Sequence, residues 1–199
     1  MSDILARFAN AGFHMMKSHH LSPKEIVSFV ESFRPNQIKC KQWLVDEISN
    51  IDMNWHKVLV VGSWNSCLLY ELLQEKCSIN YFDFLDSDPM VHKHRDMYFN
   101  ANSMEKNYSN IIMNAEDFSD FDSYDLIINT SCEHMDDIPA VYGPTYALQS
   151  NDYRSVREHI NCVDSIDQLM SKNNINGTYF KGSKKMENYK RFMVIGYYY

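Results

Sequence analysis

Gly62 and Asp86 are the two residues whose types and spacing best suit ligand chemistry. Gly62 ends the apolar run Val58-Leu59-Val60-Val61 and opens a small polar turn, Ser63-Trp64-Asn65-Ser66. Lacking a side chain, it lets a ligand come close to the backbone. Asp86 follows 24 residues later, at the end of a second apolar run, Ile79 to Leu85. A carboxylate at a strand tip about 20 residues past such a turn can accept hydrogen bonds from both hydroxyls of a ribose. Between them, Cys67 to Lys76 is amphipathic; as a helix it directs its N–H groups and positive dipole end into the same crevice. Strand, turn, helix, strand and acid make the order of a nucleotide-binding βαβ unit. The competing reading makes Asp86 and Asp88 a turn and a helix cap beside Pro89.

A second reactive group follows the apolar run Tyr124 to Asn129, in the loop Thr130-Ser131-Cys132-Glu133-His134-Met135. Ligands of open α/β sheets bind at the C-terminal ends of the strands, where this loop would sit. His134 is the natural base because its ordinary pKa lies near neutrality, with Glu133 and Asn129 as companions; a lone histidine is more often a structural hydrogen-bond donor. Cys132 could be a thiolate, although a buried cysteine is commonly just a small hydrophobe. Glu133, His134, Asp136 and Asp137 suggest a divalent cation, but no further ligand stands at a telling spacing. They read as solvated acids, and no metal is expected.

The elements that must position these groups follow from hydrophobic periodicity. The first 54 residues read as a helical cap. One segment ends near Met16; a second has Ser22 as N-cap and Pro23 at its first position. Arg34-Pro35-Asn36 breaks it, and a third begins near Gln37. The cap is expected to cover the crevice or lie beside it, with Lys41, Trp43 and the His19-His20 pair offering contacts. Pro89 opens a helix to about Asn100, Asn110–Met113 forms a third strand and Thr145–Leu148 a short fifth. A helix capped by Asp164 runs to Lys172, and Gly177–Lys181 and Lys190–Tyr198 close the chain. The continuous run Phe192 to Ile195 predicts an interior last strand.

At 199 residues, with 45% hydrophobic residues, the chain suits one domain with a sizeable core. Net charge is −7 and no dense basic run appears, so duplex DNA is not an expected partner. The best basic cluster, Lys181 to Lys185 with Lys190 and Arg191, holds a small anion or is a solvated turn. Five cysteines without a C-x-x-C pair suit a reduced compartment. No apolar run approaches the roughly 18 residues of a membrane span. A soluble, cytoplasmic protein of unknown oligomeric state is expected.

The motif order resembles the class I methyltransferase family over about residues 55 to 199. VLVVGSWNS resembles its first motif, FLDSDP its acidic second-strand motif, IIMNAEDF the segment that lines adenine, and YDLIINTSCEHM its fourth-strand motif. The resemblance implies a doubly wound, seven-stranded, mostly parallel α/β sheet with an antiparallel last strand, and S-adenosylmethionine as cofactor. Gly62 and Ser63, with Trp64 and Asn65 completing the turn, would floor its methionine part. Asp86, beside Ser87, would hold the ribose. Asn114 and Ala115 would flank the adenine, Glu116 would meet its amino group, and Asn129 and Ser131 would face the methyl donor. The family's acid before the first glycine is replaced by Val60, and its later glycine places hold Trp64 and Ser66.

Asn129-Thr130-Ser131-Cys132 is not the Asn-Pro-Pro-aromatic loop of enzymes that methylate base amino groups. Ser131 also stands where carbon-5 pyrimidine methyltransferases have proline. The implied function is S-adenosylmethionine-dependent methyl transfer to a small molecule or RNA. The alternatives are a same-fold enzyme that moves the aminocarboxypropyl group or breaks the donor down, and a binding or assembly protein that kept the fold.

Overall fold

The apolar runs become strands of one sheet. The computed structural model describes residues 1–18, 21–138 and 140–199. Its strands are β1 (Trp55–Val61), β2 (Ile79–Asp86), β3 (Tyr108–Ile112), β4 (Leu126–Asn129), β5 (Thr145–Asn151), β6 (Gly177–Lys185) and β7 (Lys190–Tyr197), in the order β3-β2-β1-β4-β5-β7-β6. β1 to β5 pair in parallel, and β7 lies antiparallel between β5 and β6. The interior last strand is therefore met: Phe192 to Ile195 is buried on both faces.

The helices are α1 (Ser2–Lys17), α2 (Pro23–Glu31), α3 (Pro35–Ser49), α4 (Cys67–Lys76), α5 (Pro89–Ala101) and α6 (Ile166–Lys172). α2 begins with a capping box in which Glu25 N–H donates to Ser22 Oγ at 3.3 Å and the Glu25 carboxylate accepts from Ser22 N–H. Pro35 opens α3 two residues before the expected start, since its missing N–H is harmless in the first turn. α6 is capped by Ser165, which accepts from Gln168 N–H; Asp164 pairs with Arg154 instead, at 2.7 Å.

Two cores flank the sheet. Residues of α1 to α4 pack with Val58, Val60, Phe82 and Phe84 on one face, joined by Tyr98 and Phe99 of α5. The other face is thinner: α6, short 3-10 turns and loop residues such as Phe121 and Ile138 cover Leu59, Val61, Ile127 and Leu148. The N-terminal helices belong to the first core, where Phe8 stacks on Phe33 at 3.9 Å and Arg7 pairs with the buried Glu71 at 2.6 Å.

β5 runs three residues past the expected end. Gln149, Ser150 and Asn151 are polar yet buried, because β7 pairs with all three and Gln149 Nε2 donates to the Cys40 carbonyl at 3.2 Å. β6 is an edge strand, so Lys181 and Lys185 are exposed along it, which discourages further strand pairing. No helix among the described residues is long and apolar enough to cross a membrane.

Candidate functional site

A cavity of about 730 Å3 opens at the C-terminal rim of β1, β2 and β4. Its size suits a small-molecule ligand. Gly62, Trp64, Asp86, Ser87, Asn114, Ala115, Glu116, Ser131 and His134 all line it. The strands bring these residues together because each loop leaves the sheet at the same edge. A smaller chamber of about 70 Å3 adjoins it and shares Gly62, Trp64, Ser131 and His134; Ser63, Lys41, Glu133 and Arg191 lie in its wall.

The turn after β1 has an unusual backbone. Gly62, Trp64 and Ser66 have φ of 56°, 45° and 45°. The last two are left-handed positions that glycine occupies without strain and other residues at about 1–2 kcal/mol each. What holds the turn is Arg95 of α5, which is 0% exposed. Its guanidinium donates to the carbonyls of Trp64 (2.7 Å) and Asn65 (3.1 Å), to Ser63 Oγ (2.8 Å) and to Asn110 Oδ1 (2.5 Å). It also stacks over Phe84 at 3.9 Å. Burial lowers its pKa to about 10, so it remains charged at neutral pH. Arg95 Nη1 lies 3.0 Å from His92 Nδ1 and donates to it, so His92 Nε2 carries the proton and donates to the Asp86 carbonyl at 3.1 Å.

Asp86 sits where the sequence puts it, at the tip of β2. Its Oδ2 accepts Trp64 N–H at 2.8 Å and its Oδ1 accepts Asp88 N–H at 3.0 Å. An ionised carboxylate offers about four acceptor sites, which leaves capacity for two ligand hydroxyls. Asp88 is the N-cap of α5, accepting Met90 N–H at 2.8 Å. The ligand reading and the cap reading thus fall on two different residues.

Asn65 and Asn129 line neither cavity. Asn65 is fully buried; its Oδ1 meets His94 Nδ1 at 3.1 Å and its Nδ2 donates to the Ser28 carbonyl at 3.4 Å, tying α5 to α2. Asn129 accepts Ser131 N–H at 2.8 Å and donates to Met135 Sδ at 3.3 Å, so it shapes the loop. Ser63 is buried but reaches the smaller chamber. Trp64 bridges to the cap, its indole N–H donating to Ser28 Oγ at 3.1 Å. Trp43 is packed edge-on against Phe180 at 6.1 Å rather than facing a ligand. The His19-His20 pair lies outside the described residues.

Glu133 is no free base. It is 4% exposed, and its Oε1 accepts from Arg191 Nη1 at 2.5 Å and from Asn151 Nδ2 at 2.6 Å. Arg191 therefore separates from the surface lysines near it in sequence. Burial opposes its charge, yet Glu133 more than offsets this and raises its pKa. Cys132 is buried, lines neither cavity and donates weakly to the Asn129 carbonyl at 3.6 Å, and burial raises its thiol pKa, so it packs as a small core side chain. His134 faces both cavities, and loss of hydration lowers its pKa, opposed by Glu133 and reinforced by His159 and Arg191.

Sequence reasoning missed Arg95, His159 and the full weight of Lys41. Lys41 is 6% exposed; its ammonium donates to Gln37 Oε1 at 2.7 Å and forms no ion pair among the described residues. Burial, helped by Arg191, lowers its pKa to about 8. The Gln37–Lys41 spacing of four on α3 is the only local signal of that pair.

With the topology and the rim in view, solved structures give the architecture its place. The N-methyltransferase NodS from Bradyrhizobium japonicum WM9, in complex with S-adenosyl-L-homocysteine, matches at a TM-score of 0.63 and 9% identity, over 94% of this chain and 98% of that one. This is the class I methyltransferase fold. Magnesium protoporphyrin IX methyltransferase from Synechocystis PCC 6803, with bound S-adenosylmethionine, matches at 0.61 and 10% identity over 90% and 86% of the chains. Geranyl diphosphate methyltransferase, also in complex with S-adenosylmethionine, matches at 0.60 and 9% identity over 82% and 86%. No protein-family model and no curated protein sequence matches the chain. In the class I methyltransferase fold of this chain, the large cavity lies at the sheet's ligand edge, over the point where β1 separates β2 from β4.

Proposed function

We propose that this chain is an S-adenosylmethionine-dependent methyltransferase acting on a small molecule. The observation that carries the reading is the cavity in which Gly62, Asp86 and Asn114 to Glu116 meet at one rim. These residues fit the donor. Asp86 has acceptor capacity for the ribose hydroxyls, Asn114, Ala115 and Glu116 would flank the adenine, and the left-handed Gly62 would let the methionine chain pass close to the backbone. The smaller chamber would take the amino-acid end, with the Lys41 ammonium facing its carboxylate. When bound, the donor supplies an electrophilic methyl group on its sulfonium.

The protein's own part is alignment and proton handling. Arg95 fixes the turn before any ligand arrives, which keeps reorganisation small. His134, on the wall shared by the two cavities, is the base that would take a proton from the acceptor, and its lowered pKa keeps it neutral for that task. Glu133 positions the loop through Arg191 and Asn151. The net charge of −7 and the confined rim favour a small acceptor over RNA.

One observation supports the second reading, a binding or assembly protein. The methyl of Met135 lies where a side chain at Gly62 would begin, 2.3 Å from the ideal Cβ position, so donor entry requires Met135 to move. Products separate the readings. Incubation with S-adenosylmethionine and a panel of small acceptors should yield S-adenosylhomocysteine. Methylthioadenosine as the sole product would indicate aminocarboxypropyl transfer or breakdown, and no turnover despite tight nucleoside binding would favour the second reading.

A further inference from the structure

We propose that Glu133, His134 and His159 form a binding site for a divalent transition-metal ion. No third ligand is visible near His134 in the sequence, but the fold brings in His159 from the loop after β5. One donor atom from each of the three residues lies within 4.8 Å of the other two. A metal bound at about 2.0–2.2 Å spaces its donors about 3–3.5 Å apart, so a pair at the 4.8 Å limit must close by about 1.3–1.8 Å.

Two further observations point to a ligand. Glu133 is buried, and while its Oε1 is held by Arg191 and Asn151, its Oε2 has no partner among the described residues. An unpaired carboxylate oxygen in such a place is costly to keep. His159 Nδ1 lies 2.5 Å from the Tyr153 carbonyl and donates to it, which leaves the Nε2 lone pair free. A backbone carbonyl that fixes the tautomer and orientation of an imidazole is the usual support behind a metal-binding histidine.

The surrounding charges decide which ions fit. Lys41 and Arg191 oppose a cation, Arg191 being already paired with Glu133; Asp136 and Asp137 on the wall of the large cavity offset them. Two imidazoles and one carboxylate favour zinc, cobalt(II), manganese(II) or iron(II) over magnesium or calcium. With three protein ligands, a bound ion would keep coordination positions open, and because His134 lines the large cavity an oxygen or nitrogen donor of a small molecule there could occupy one. An ion on His134 takes the one lone pair that proton transfer would use, so the metal-bound protein and the protein with His134 as base are alternative states, and binding of the ion does not depend on methyl transfer.

Titrating the full-length protein with zinc chloride by calorimetry, and with cobalt(II) by its visible d–d absorption, tests the site directly. One ion should bind per chain, far more tightly than magnesium, and His159→Ala and His134→Ala should each weaken zinc binding at least tenfold. Both variants alter loop side chains, and their thermal midpoints report whether the fold is kept. Paramagnetic broadening by cobalt(II) of the His134 and His159 ring protons in the unmodified protein gives a second readout that needs no variant. Zinc affinity in both variants equal to that of the unmodified protein, no binding of zinc above that of magnesium, or broadening confined to other histidines would overturn the proposal.

Discussion

Around the tips of β1 and β2, the buried polar side chains find partners, with His94 Nε2 the exception; around β4, β5 and β7, Glu133 Oε2, Gln149 Oε1, Ser150 Oγ and Arg191 Nε have none among the described residues. The first region is tied by backbone: Arg95 holds two carbonyls of the turn, and Asp86 accepts two backbone N–H groups. The second is tied by side chains, through Arg191, Glu133 and Asn151, with Lys41 left without a carboxylate. A buried unsatisfied polar group costs about 1–3 kcal/mol, so the second region stores a demand that a ligand or an ordered water can meet. On the proposed reading, the first region offers a donor seat whose backbone is preformed, with the Met135 side chain left to move aside, and the second offers ligand-completed chemistry.

Breaking the first region should have the largest effect. Arg95→Met leaves the Trp64 and Asn65 carbonyls and Asn110 without their donor, and should destabilise the fold by about 3–5 kcal/mol, since each buried acceptor left unsatisfied costs about 1–3 kcal/mol. Chemical denaturation measures this, and a loss below about 1 kcal/mol would mean that the turn holds itself. Lys41→Met should do the opposite, stabilising the fold by roughly 1–3 kcal/mol. The Lys41 pKa in the fold, about 8, lies below its ordinary 10.5. Between those values the unfolded chain holds a proton that the folded chain lacks, so wild-type stability rises with pH across the window and its gap to the variant closes there. The same variant should bind S-adenosylhomocysteine about tenfold more weakly, or about 1.4 kcal/mol, and methylthioadenosine, which lacks the carboxylate, equally well. Equal losses for both nucleosides would remove Lys41 from the amino-acid end.

Asp86→Ala should weaken nucleoside binding at least about tenfold, because charge-assisted hydrogen bonds contribute about 1.5–3 kcal/mol each. It should also cost about 1–2 kcal/mol of stability through the two backbone N–H groups it accepts. Asp88→Ala removes only a helix cap, worth about 1 kcal/mol, and should leave affinity unchanged. Equal effects on affinity would mean that the tip of β2 is not the ribose seat. The smallest effect is expected from Ser66→Gly. Relief of the left-handed φ and loss of the hydrogen bond from Ser66 Oγ to the Ser63 carbonyl nearly cancel, leaving less than about 1 kcal/mol in thermal denaturation.

The division between the regions also marks what the sequence made legible. Local patterns carried the strands, the capping box at Ser22 and the helix from Cys67 to Lys76, because periodicity and caps are properties of neighbouring residues. The place of Asp86 at the tip of β2 was legible because the apolar run Ile79 to Leu85 ends there. Asn65 and Asn129 looked like ligand contacts because polar loop residues at a rim suggest them, yet both serve the loops. Arg95 was hidden in Pro89–Ala101 as an ordinary helix charge, since its partners at Ser63 to Asn65 lie about 30 residues away. His159 and the buried continuation of β5 were hidden for the same reason: strand pairing and loop folding create them, and no local spacing encodes either.

Calorimetric titration of the unmodified protein with S-adenosylhomocysteine tests the central claim most directly. A preformed seat predicts one saturable site per chain, with a dissociation constant of about 1–100 μM, equivalent to roughly −5 to −8 kcal/mol, and Asp86→Ala should lose at least tenfold. No binding at millimolar nucleoside by a protein that unfolds cooperatively would contradict it, and the rim of β1 and β2 would then be a closed structural turn.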